Sequence, residues 1–504
     1  MTYVLYAFLA GAASAFAFEP TGLWPLILLA FALLCELLCR AKTLGRALAI
    51  GWAFGLGQFV LGLNWIATAF TYQAAMPAWL GWVAVVLLSL YLAVYPALAS
   101  GLAWRFGRND RTVFVVVLGG AWTITEWLRG TMFTGFPWNP AAAALVDTPL
   151  IKVTALIGTY GLSGLAAMLG GALWLGYHRK WLPLVLIAGV TTLLAVLPAS
   201  SVPPDPLTVM KVRIVQPNIG QQDKWRPGFE DEAARRLATL SGPPSAESRL
   251  LLWPEAAVTD PLEDARTDEH SAFAEFQRTR AASLLGPDDR LLTGGIAIAS
   301  SDGFHIDGAA NSIFVIAPGG KVIGRYDKAH LVPYGEYLPM RPLLSAIGLS
   351  RLAPGDFDFT SGPGARTIDV GGEWGKIGFQ LCYEMIFSGD VVDEKHRPAF
   401  IFNPSNDAWF GRWGPPQHLA QARLRAAEEG LPVLRSTPTG ISAVVDARGH
   451  VVKSLPWRTA GVIDATLPPA ANSPPPFARF GNLIPILLGF AFIIGGIVLG
   501  RRRR

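Results

Sequence analysis

The sequence predicts two structural parts: a multispanning α-helical membrane domain with about eight transmembrane helices, and an α/β layered domain placed before the last of these helices. Two observations support this. First, 51% of the 504 residues are hydrophobic and only 16% are charged, which is too apolar for an ordinary soluble protein of this length. Second, the apolar residues are concentrated near the two ends of the chain, whereas most acidic and basic residues lie between them. The pattern therefore indicates two environments.

The membrane part is predicted from the length of the apolar stretches, since a helix needs about 20 apolar residues to cross a bilayer. Stretches close to this length lie near residues 2–18, 23–39, 48–70, 79–103, 112–128, 152–176, 181–199 and 484–500. The first lacks a basic leader, and Phe18-Glu19-Pro20 is a poor cleavage sequence, so we expect a retained helix rather than a signal peptide. Residues 1–200 are predicted to hold helices 1 to 7, and residues 483–504 helix 8 with a basic cytoplasmic tail.

The orientation follows from the basic residues of the short loops, because Lys and Arg favour the cytoplasmic side. Every second loop and the C-terminus are basic, with Arg40, Lys42, Arg46, Arg105, Arg108, Arg111, Arg179, Lys180 and Arg501–Arg504. The alternate loops contain one such residue, Arg129. Both termini of this multi-pass protein are therefore predicted to be cytoplasmic, with residues 201–482 across the membrane. In a bacterium that compartment is the periplasm.

The net charge of +5 does not indicate nucleic-acid binding, because the basic residues occur in short turns rather than on one face. No nucleic-acid partner is expected.

The α/β domain is predicted between two proline-rich linkers, at 198–206 and 468–476. Short apolar or β-branched runs indicate strands at 210–216, 249–253, 290–298, 312–317, 375–381, 399–403, 441–446 and 460–465. Helical patterns lie between them at Phe229–Leu240, Asp268–Leu285 and Gln417–Glu429. Alternating strands and helices are typical of one layered α/β folding unit.

The cysteines predict a free thiol rather than a disulfide, because Cys382 is the only cysteine of the exported block. Cys35 and Cys39 lie four residues apart on helix two and could form a metal pair. No cluster of histidines or carboxylates accompanies them, so packed or lipid-facing side chains are the better interpretation. No motif indicates a metal, a nucleotide or a flavin, and no cofactor is expected.

Three residues suggest chemistry because each follows a predicted strand or turn, where side chains converge in α/β sheets. Glu255 follows Leu-Leu-Leu-Trp-Pro, Cys382 follows Gly-Lys-Ile-Gly-Phe-Gln-Leu, and Lys328 opens a Gly- and Pro-rich segment. Each also has an ordinary structural explanation. Glu255 could cap a helix or form a surface ion pair, Lys328 could be solvated, and Cys382 could fill the core.

The three residues in their sequence contexts indicate a family more specifically than any one of them does alone. Trp-Pro-Glu255, then Asp-Lys328-Ala-His-Leu-Val-Pro-Tyr-Gly-Glu336, then Cys382-Tyr-Glu resembles the Glu-Lys-Cys triad of the nitrilase superfamily. With helices at both ends, nearly the whole chain resembles the apolipoprotein N-acyltransferase family. The resemblance extends to Gln216-Pro-Asn-Ile219 with Lys224-Trp225, Asn403-Pro-Ser-Asn406-Asp-Ala-Trp409, Ser436-Thr-Pro-Thr-Gly440-Ile-Ser442, Glu126-Trp-Leu-Arg129 and Thr134-Gly-Phe-Pro-Trp138.

The resemblance implies a nitrilase-like αββα sandwich in which Cys382 is the nucleophile, Glu255 the general base and Lys328 the electrostatic stabiliser. It implies a ping-pong acyltransferase. A membrane phospholipid would donate a fatty acyl chain to Cys382 as a thioester. The acceptor would be the α-amino group of the N-terminal diacylglyceryl-cysteine of an apolipoprotein. The lipid bilayer is a further partner, and a monomer is expected.

Five more residues are implied to support the site: Trp225, Asn311, Glu336, Tyr383 and Glu384. Trp225 and Asn311 are expected near the acyl chain or an active-site loop, and Glu336 would orient Lys328 or relay a proton. Simpler explanations stay open. Trp225 could be a core aromatic, Asn311 could end a turn, and Glu384 could complement a helix N-terminus.

Two features near the expected bilayer have open roles. Arg129 could anchor a helix at the interface together with Trp138, or it could hold a lipid phosphate beside the active site. Residues 338–352 form an apolar arm that is either a packed loop or a mobile lid dipping into the membrane; its members are Leu338, Met340, Leu343, Leu344, Ile347, Leu349 and Leu352.

Two other classes of protein compete with a transferase. A membrane-tethered carbon–nitrogen hydrolase, an amidase or nitrilase, would share the triad but release its product to water. A transporter with a degenerate soluble domain would need paired intramembrane charges or broken repeats. The sequence offers mainly Glu36 and Glu126, both near predicted helix ends.

Overall fold

Helices form the N-terminal part of the chain in the computed structural model, which describes residues 1–72, 77–197, 201–203, 210–224, 226–245, 247–346, 352 and 358–502. They are α1 (Thr2–Ser14), α2 (Pro25–Cys39), α3 (Leu44–Gly62), α4 (Ile66–Ala69), α5 (Leu80–Leu92), α6 (Val94–Gly107), α7 (Arg111–Thr131), α8 (Thr154–Tyr177) and α9 (Trp181–Val196).

Local sequence explains several boundaries and contacts of these helices. Pro25 opens α2, where its missing N–H costs nothing. Asp110 caps α7 by accepting bonds from the N–H groups of Thr112 and Val113, at 2.8 and 3.2 Å. Helices α1 and α3 approach to backbone contact, because a Cβ atom at Gly57 would overlap the carbonyl oxygen of Phe8.

Two stacked sheets form the following part of the chain. The described strands are β1 (Lys211–Gln216), β2 (Leu250–Leu252), β3 (Pro261–Asp264), β4 (Arg290–Ala299), β5 (Gly308–Ile316), β6 (Val322–Asp327), β7 (Arg366–Asp369), β8 (Lys376–Phe379), β9 (Phe400–Pro404), β10 (Val433–Ser436), β11 (Ala443–Val445), β12 (Val451–Ser454) and β13 (Gly461–Thr466). The first sheet runs β13-β1-β2-β4-β5-β6, with β3 beside β4, and the second runs β12-β11-β10-β9-β8-β7.

Helices cover the outer faces of both sheets. The helices of this part are α10 (Gln221–Lys224), α11 (Glu230–Ser241), α12 (Asp268–Ala282), α13 (Arg341–Ala346), α14 (Gly414–Glu429) and α15 (Pro476–Phe480). Helices α11 and α12 pack on the first sheet, and α14 packs on the second. Side chains of both sheets meet between them, including Ile214, Leu252, Ile313, Phe379, Phe402 and Leu434. The layers are therefore αββα, as the resemblance implied.

The strand prediction is confirmed for the eight apolar runs but is incomplete. All eight predicted runs contain a strand, and the three predicted helical patterns coincide with α11, α12 and α14. Five strands, β3, β6, β7, β10 and β12, were not predicted. All four residues of β12 are exposed, and β7 is an outer strand of its sheet, so neither carries the apolar alternation of a buried strand.

The last helix is α16 (Leu483–Arg502), so each of the eight apolar stretches falls on a helix. Among the described residues, four helical segments are long and apolar enough to cross a membrane: Leu44–Gly62, Leu80–Gly107, Pro149–Tyr177 and Leu483–Arg501. Three apolar helices are shorter, at Thr2–Ala17, Pro25–Cys39 and Trp181–Val196. Helix α7 is long but carries Arg111, Glu126 and Arg129. The prediction of eight transmembrane helices is not confirmed, although the apolar helices are consistent with a membrane protein.

The loop at residues 132–147, between α7 and α8, connects the helical part to the sandwich. Its Gly135 carbonyl accepts a bond from the Tyr383 hydroxyl at 3.1 Å, and its Thr134 carbonyl accepts one from His330 Nε2 at 2.8 Å. Trp138 Nε1 donates to Gln417 Oε1 at 2.8 Å. This loop, called the 132–147 loop below, therefore contacts the segments that carry Cys382 and Lys328.

The close contact of α1 with α3 predicts that Gly57→Val destabilises the helical part. The added methyl groups would meet backbone atoms of α1, and overpacking of this kind costs about 1–3 kcal/mol. We expect the Tm of the protein in detergent, followed by tryptophan fluorescence, to fall by several degrees relative to Gly189→Val. Gly189 is the matched control because a Cβ atom there meets nothing within 4 Å. Equal Tm values for the two variants would contradict the packing described.

Candidate active site

Cys382 lies at a sharp turn after β8. It opens a 3₁₀ turn over Cys382–Ile386, and its φ is +50°, which a residue with a side chain rarely adopts. Such a conformation costs of order 1–3 kcal/mol and persists only where surrounding contacts hold it. The side chain is 7% exposed. The turn thus presents a buried thiol at the end of a strand.

Glu255 and Lys328 follow strands of the other sheet. Glu255 comes after β2, where Trp253 and Pro254 end the strand, and it is 6% exposed. Lys328 directly follows β6 and is 1% exposed. Its Nζ atom lies 3.9 Å from Glu255 Oε1. The charges of Glu255 and Lys328 both affect the pKa of the Cys382 thiol. The structure therefore brings the three predicted residues together across the two sheets.

A hydrogen-bond network holds the carboxylate and the ammonium in place. Asn311 Nδ2 donates to Glu255 Oε1 and to Glu336 Oε1, both at 2.9 Å. Lys328 Nζ donates to Glu336 at 2.9 Å, and Glu336 Oε2 also accepts from the N–H of Val332 at 2.9 Å. Glu336 thus orients Lys328, one of the two roles considered for it. Asn311 bridges the two carboxylates rather than ending a turn.

One oxygen of Glu255 is left for chemistry. Its Oε2 atom is buried and has no hydrogen-bond partner among the described residues. Its backbone carbonyl accepts a bond from Lys224 Nζ at 3.1 Å. Since Oε1 is held by Asn311, the free oxygen is the one able to accept a proton.

The charges around the thiol set its protonation. Burial raises the pKa of Cys382 well above its ordinary value, Glu255 raises it further, and Lys328 opposes them. Burial lowers the pKa of Lys328, but the carboxylates of Glu336 and Glu255 outweigh burial and raise it. Burial lowers the pKa of Lys224 to about 8, against the charge of Glu255. At neutral pH the site therefore combines a protonated thiol with a lysine ammonium.

Glu384 joins the turns that carry Lys328 and Cys382. Its Oε1 accepts from the Tyr326 hydroxyl at 2.8 Å and from the N–H groups of Ala329 and His330, at 2.7 and 3.0 Å. Its Oε2 accepts from the N–H of Leu381 at 2.7 Å. Burial raises the pKa of Glu384, and these donors oppose burial. Glu384 therefore accepts more hydrogen bonds than a carboxylate that only complements a helix N-terminus.

Other predicted residues lie further out. Tyr383 packs against Phe136 of the 132–147 loop, with ring centroids 6.3 Å apart. Trp225 lies outside the described residues. In the apolar arm, Met340 and Leu343 are exposed and Leu338 is buried, whereas Ile347 and Leu349 are outside the described residues.

Arg129 is buried and faces the 132–147 loop. It is 2% exposed, and its Nη1 donates to the carbonyl oxygens of Phe136 and Trp138, at 2.8 and 2.9 Å. The guanidinium is therefore turned toward the backbone of the 132–147 loop and supports it. An interfacial anchor would instead have its charge at the surface.

Sequence reasoning assigned no role to four residues beside the site. The backbone of Asn406 lowers the pKa of the Cys382 thiol, and Lys224 Nζ donates to the Glu255 carbonyl. His418 Nε2 lies 3.1 Å from the Cys382 carbonyl oxygen, and its Nδ1 lies 3.0 Å from Asp407. Lys224 and Asn406 fall inside motifs on which the family resemblance is based. That resemblance was the sequence signal that could have identified them. His418 lies outside those motifs. Among the described residues, no group of three His, Cys, Asp or Glu side chains is arranged to hold a metal.

Comparison with known proteins agrees with this architecture. The family described as Apolipoprotein N-acyltransferase N-terminal domain matches residues 10–172, and the Carbon-nitrogen hydrolase family matches residues 211–472. The crystal structure of an amidase from Nesterenkonia sp. aligns with 54% of this chain and 94% of its own, at 17% identity and a TM-score of 0.33.

Two relatives cover almost the whole chain. The protein named Apolipoprotein N-acyltransferase from Rhodopseudomonas palustris is 35% identical over 98% of this chain and 95% of its own length. The protein of the same name from Bradyrhizobium diazoefficiens is 36% identical over 99% of this chain and 95% of its own. The chain therefore belongs to the apolipoprotein N-acyltransferase family, a membrane branch of the nitrilase, or carbon–nitrogen hydrolase, superfamily.

Proposed function

We propose that this chain transfers a fatty acyl chain from a membrane phospholipid to the α-amino group of the N-terminal diacylglyceryl-cysteine of an apolipoprotein, completing lipoprotein maturation. The observation that carries the proposal is the buried cluster of Cys382, Glu255 and Lys328, which adjoins a loop of the apolar helical part. A thiol, a base and a cation beside apolar helices are the groups that acyl transfer from a lipid ester requires.

In the first half-reaction, Cys382 Sγ attacks the ester carbonyl carbon while its proton passes to Glu255 Oε2. A base is needed because the raised pKa of Cys382 leaves the thiol protonated at neutral pH. The carbonyl oxygen becomes an oxyanion, stabilised by the Lys328 ammonium and the N–H of Tyr383. When the C–O bond breaks, the proton on Glu255 passes to the lysophospholipid oxygen, and a thioester remains on Cys382.

In the second half-reaction, the neutral α-amino group of the acceptor attacks the thioester carbon. Glu255 takes the proton lost by the nitrogen, the C–S bond breaks, and the proton returns to the departing sulfur. The products are an amide and the free thiol, so the reaction is ping-pong. Lys328 stabilises the oxyanion in both steps and keeps its charge because Glu336 and Glu255 raise its pKa.

The supporting residues have matching roles in this scheme. Asn311 and Glu336 hold Glu255 and Lys328 in register, and Glu384 fixes the turns on which Lys328 and Cys382 lie. Trp225 is proposed to contact the acyl chain. Tyr383 contributes its N–H to the oxyanion, and its side chain bonds the 132–147 loop. Arg129 supports that loop and so acts on the site indirectly.

The surroundings proposed for this chemistry are those of the bacterial inner membrane. Residues 1–200 and 483–504 would be membrane-embedded, with both termini cytoplasmic, and residues 201–482 would form a periplasmic catalytic domain. The apolar arm at 338–352 would cover the thioester as a lid and exclude water. The enzyme is proposed to act as a monomer.

The acyl-enzyme predicts a mass change at one residue. Incubation of wild type with phospholipid should add one acyl mass by intact mass spectrometry, and Cys382→Ala should add none. Loss of the base in Glu255→Gln should slow adduct formation by about 10²- to 10⁴-fold. Glu269→Gln, at an exposed position of α12, is the control and should match wild type. An adduct on Cys382→Ala, or an undiminished rate in Glu255→Gln, would contradict the mechanism.

Product analysis separates transfer from hydrolysis. Addition of a diacylglyceryl lipopeptide to the isolated acyl-enzyme should yield N-acylated lipopeptide. A membrane-tethered hydrolase would instead release free fatty acid at the same rate with or without lipopeptide, and that result would overturn the transferase proposal.

The charges on Cys382 predict the pH dependence of its alkylation. Because its pKa is raised, the rate with iodoacetamide should climb about tenfold per pH unit through pH 9 without a plateau near neutrality. Glu255 raises this pKa and Lys328 lowers it, so Glu255→Gln should shift the rise to lower pH and Lys328→Met to higher pH. Adduct mass against time gives the rates. A plateau below pH 8 in wild type would contradict a protonated resting thiol.

The proposed orientation predicts which positions an impermeant maleimide reaches in intact spheroplasts. In a background with Cys35, Cys39 and Cys382 replaced by Ala, Phe304→Cys should be labelled, because Phe304 is exposed on the sandwich. Lys42→Cys should be labelled only after lysis. Labelling of Lys42→Cys alone in intact spheroplasts would reverse the orientation.

A further inference from the structure

His418 is a fully buried histidine behind the nucleophile, and the mechanism above makes no use of it. It lies on α14 and is 0% exposed. Its Nε2 atom is 3.1 Å from the carbonyl oxygen of Cys382, and its Nδ1 atom is 3.0 Å from Asp407 Oδ1 and 3.0 Å from Arg435 Nη2.

These neighbours determine which nitrogen of His418 carries the proton. A carbonyl oxygen can only accept, so Nε2 must donate to Cys382. Burial and the charge of Arg435 lower the pKa of His418, against the effect of Asp407. Nδ1 faces both an acceptor, Asp407 Oδ1, and a donor, Arg435 Nη2. Whichever of these Nδ1 bonds, Nε2 donates to the Cys382 carbonyl.

That carbonyl belongs to the same peptide as the N–H of Tyr383, the oxyanion donor of the proposed mechanism. The C=O of Cys382 and the N–H of Tyr383 are parts of one planar unit and point in opposite directions when it is trans. Tyr383 is the second residue of its 3₁₀ turn, so no carbonyl within that turn accepts its N–H. A donor on the carbonyl side therefore sets the direction of the N–H and makes it a stronger donor, since bonded groups polarise one another.

We propose that His418 is a positioning residue for the oxyanion site: its bond to the Cys382 carbonyl aims the N–H of Tyr383 at the developing oxyanion. This inference rests on the proposed function, in which that N–H is an oxyanion donor. The same bond helps to hold Cys382 at its φ of +50°, a conformation that needs external support.

The surroundings of His418 give its ring a single orientation. Asp407 accepts two bonds from Arg435 Nη2, at 2.8 and 2.7 Å, and both residues are fully buried. A Cβ atom at position 440 would overlap Asp407, so Gly440 makes room for this pair. Trp138 of the 132–147 loop packs on the imidazole, with ring centroids 5.2 Å apart. The helical part thus contributes to the alignment of the oxyanion donor.

The test compares two reactions of the same sulfur. Acylation by phospholipid passes through an oxyanion, whereas alkylation by iodoacetamide displaces iodide without one. His418→Phe keeps an aromatic ring and removes the donor, and should slow acylation about 10- to 100-fold, less than the full loss of an oxyanion donor. Its alkylation rate should stay within about threefold of wild type, because the thiol and its charges are unchanged. His418→Gln places an amide N–H near the position of Nε2 and should restore most of the acylation rate.

Several outcomes would overturn the inference. Equal acylation by His418→Phe and wild type would show that the bond is not used, and parallel loss of acylation and alkylation would show a merely structural role. If His418→Phe fails to fold, the His418→Gln and His418→Asn pair decides, since Asn has the same amide on a shorter arm. Gln should be faster, and equal rates would contradict the inference. Absence of any acyl adduct on wild type would overturn the proposed function, and the inference with it.

Discussion

The site depends on one buried charge, the ammonium of Lys328. Taking a lysine out of water is costly, and the cost is offset only where carboxylates and hydrogen bonds surround the charge. Glu336, at 2.9 Å, and Glu255, at 3.9 Å, supply the opposite charges, and Asn311 keeps the two carboxylates apart while bonding both. Lys328 also lowers the pKa of the Cys382 thiol, so one buried cation lies beside both carboxylates and opposes the effect of Glu255 on the thiol. In the proposed mechanism the same cation stabilises the oxyanion.

A second constraint is the rigid connection between the helical part and the nucleophile turn. The 132–147 loop is held from one side by Arg129, which bonds its backbone, and bonds the sandwich through Tyr383 and Gln417 on the other. Rigid supporting contacts of this kind keep reacting groups in geometry that chemistry tolerates only within narrow limits. Arg129 Nη1 satisfies two carbonyl groups that the loop would otherwise leave unpaired, whereas its buried Nη2 has no hydrogen-bond partner among the described residues and lies 3.7 Å from Glu126 Oε1.

The sequence predicts a layered α/β domain because strand ends depend on local signals, whereas the αββα arrangement and the three central site residues were implied by the family resemblance. An apolar run followed by Pro254 and Glu255, or by Cys382, marks a strand end in a single segment. The remaining site depends on contacts between distant segments. Lys224 is 31 residues from Glu255, and His418 is 36 from Cys382, so no local pattern encodes either contact. The surroundings of Arg129 likewise depend on its burial. The sequence alone suggested two roles for this residue, an interfacial anchor or a group that holds a lipid phosphate. The polar edge strands β7 and β12 lack the apolar alternation on which strand prediction depends.

The same geometry bears on why a thioester would pass to an amine rather than to water. The groups proposed to react with an acyl group on Cys382 are almost wholly buried, which would limit the access of water to the carbonyl carbon. The oxyanion donors serve water and amine equally and therefore cannot discriminate between them. Discrimination must come from exclusion of water until the acceptor binds, and from the acceptor's own acyl chains beside apolar helices. In the proposed mechanism, a site assembled from two facing sheets beside apolar helices separates these tasks: the sandwich supplies the chemistry, and the apolar surroundings select the acceptor.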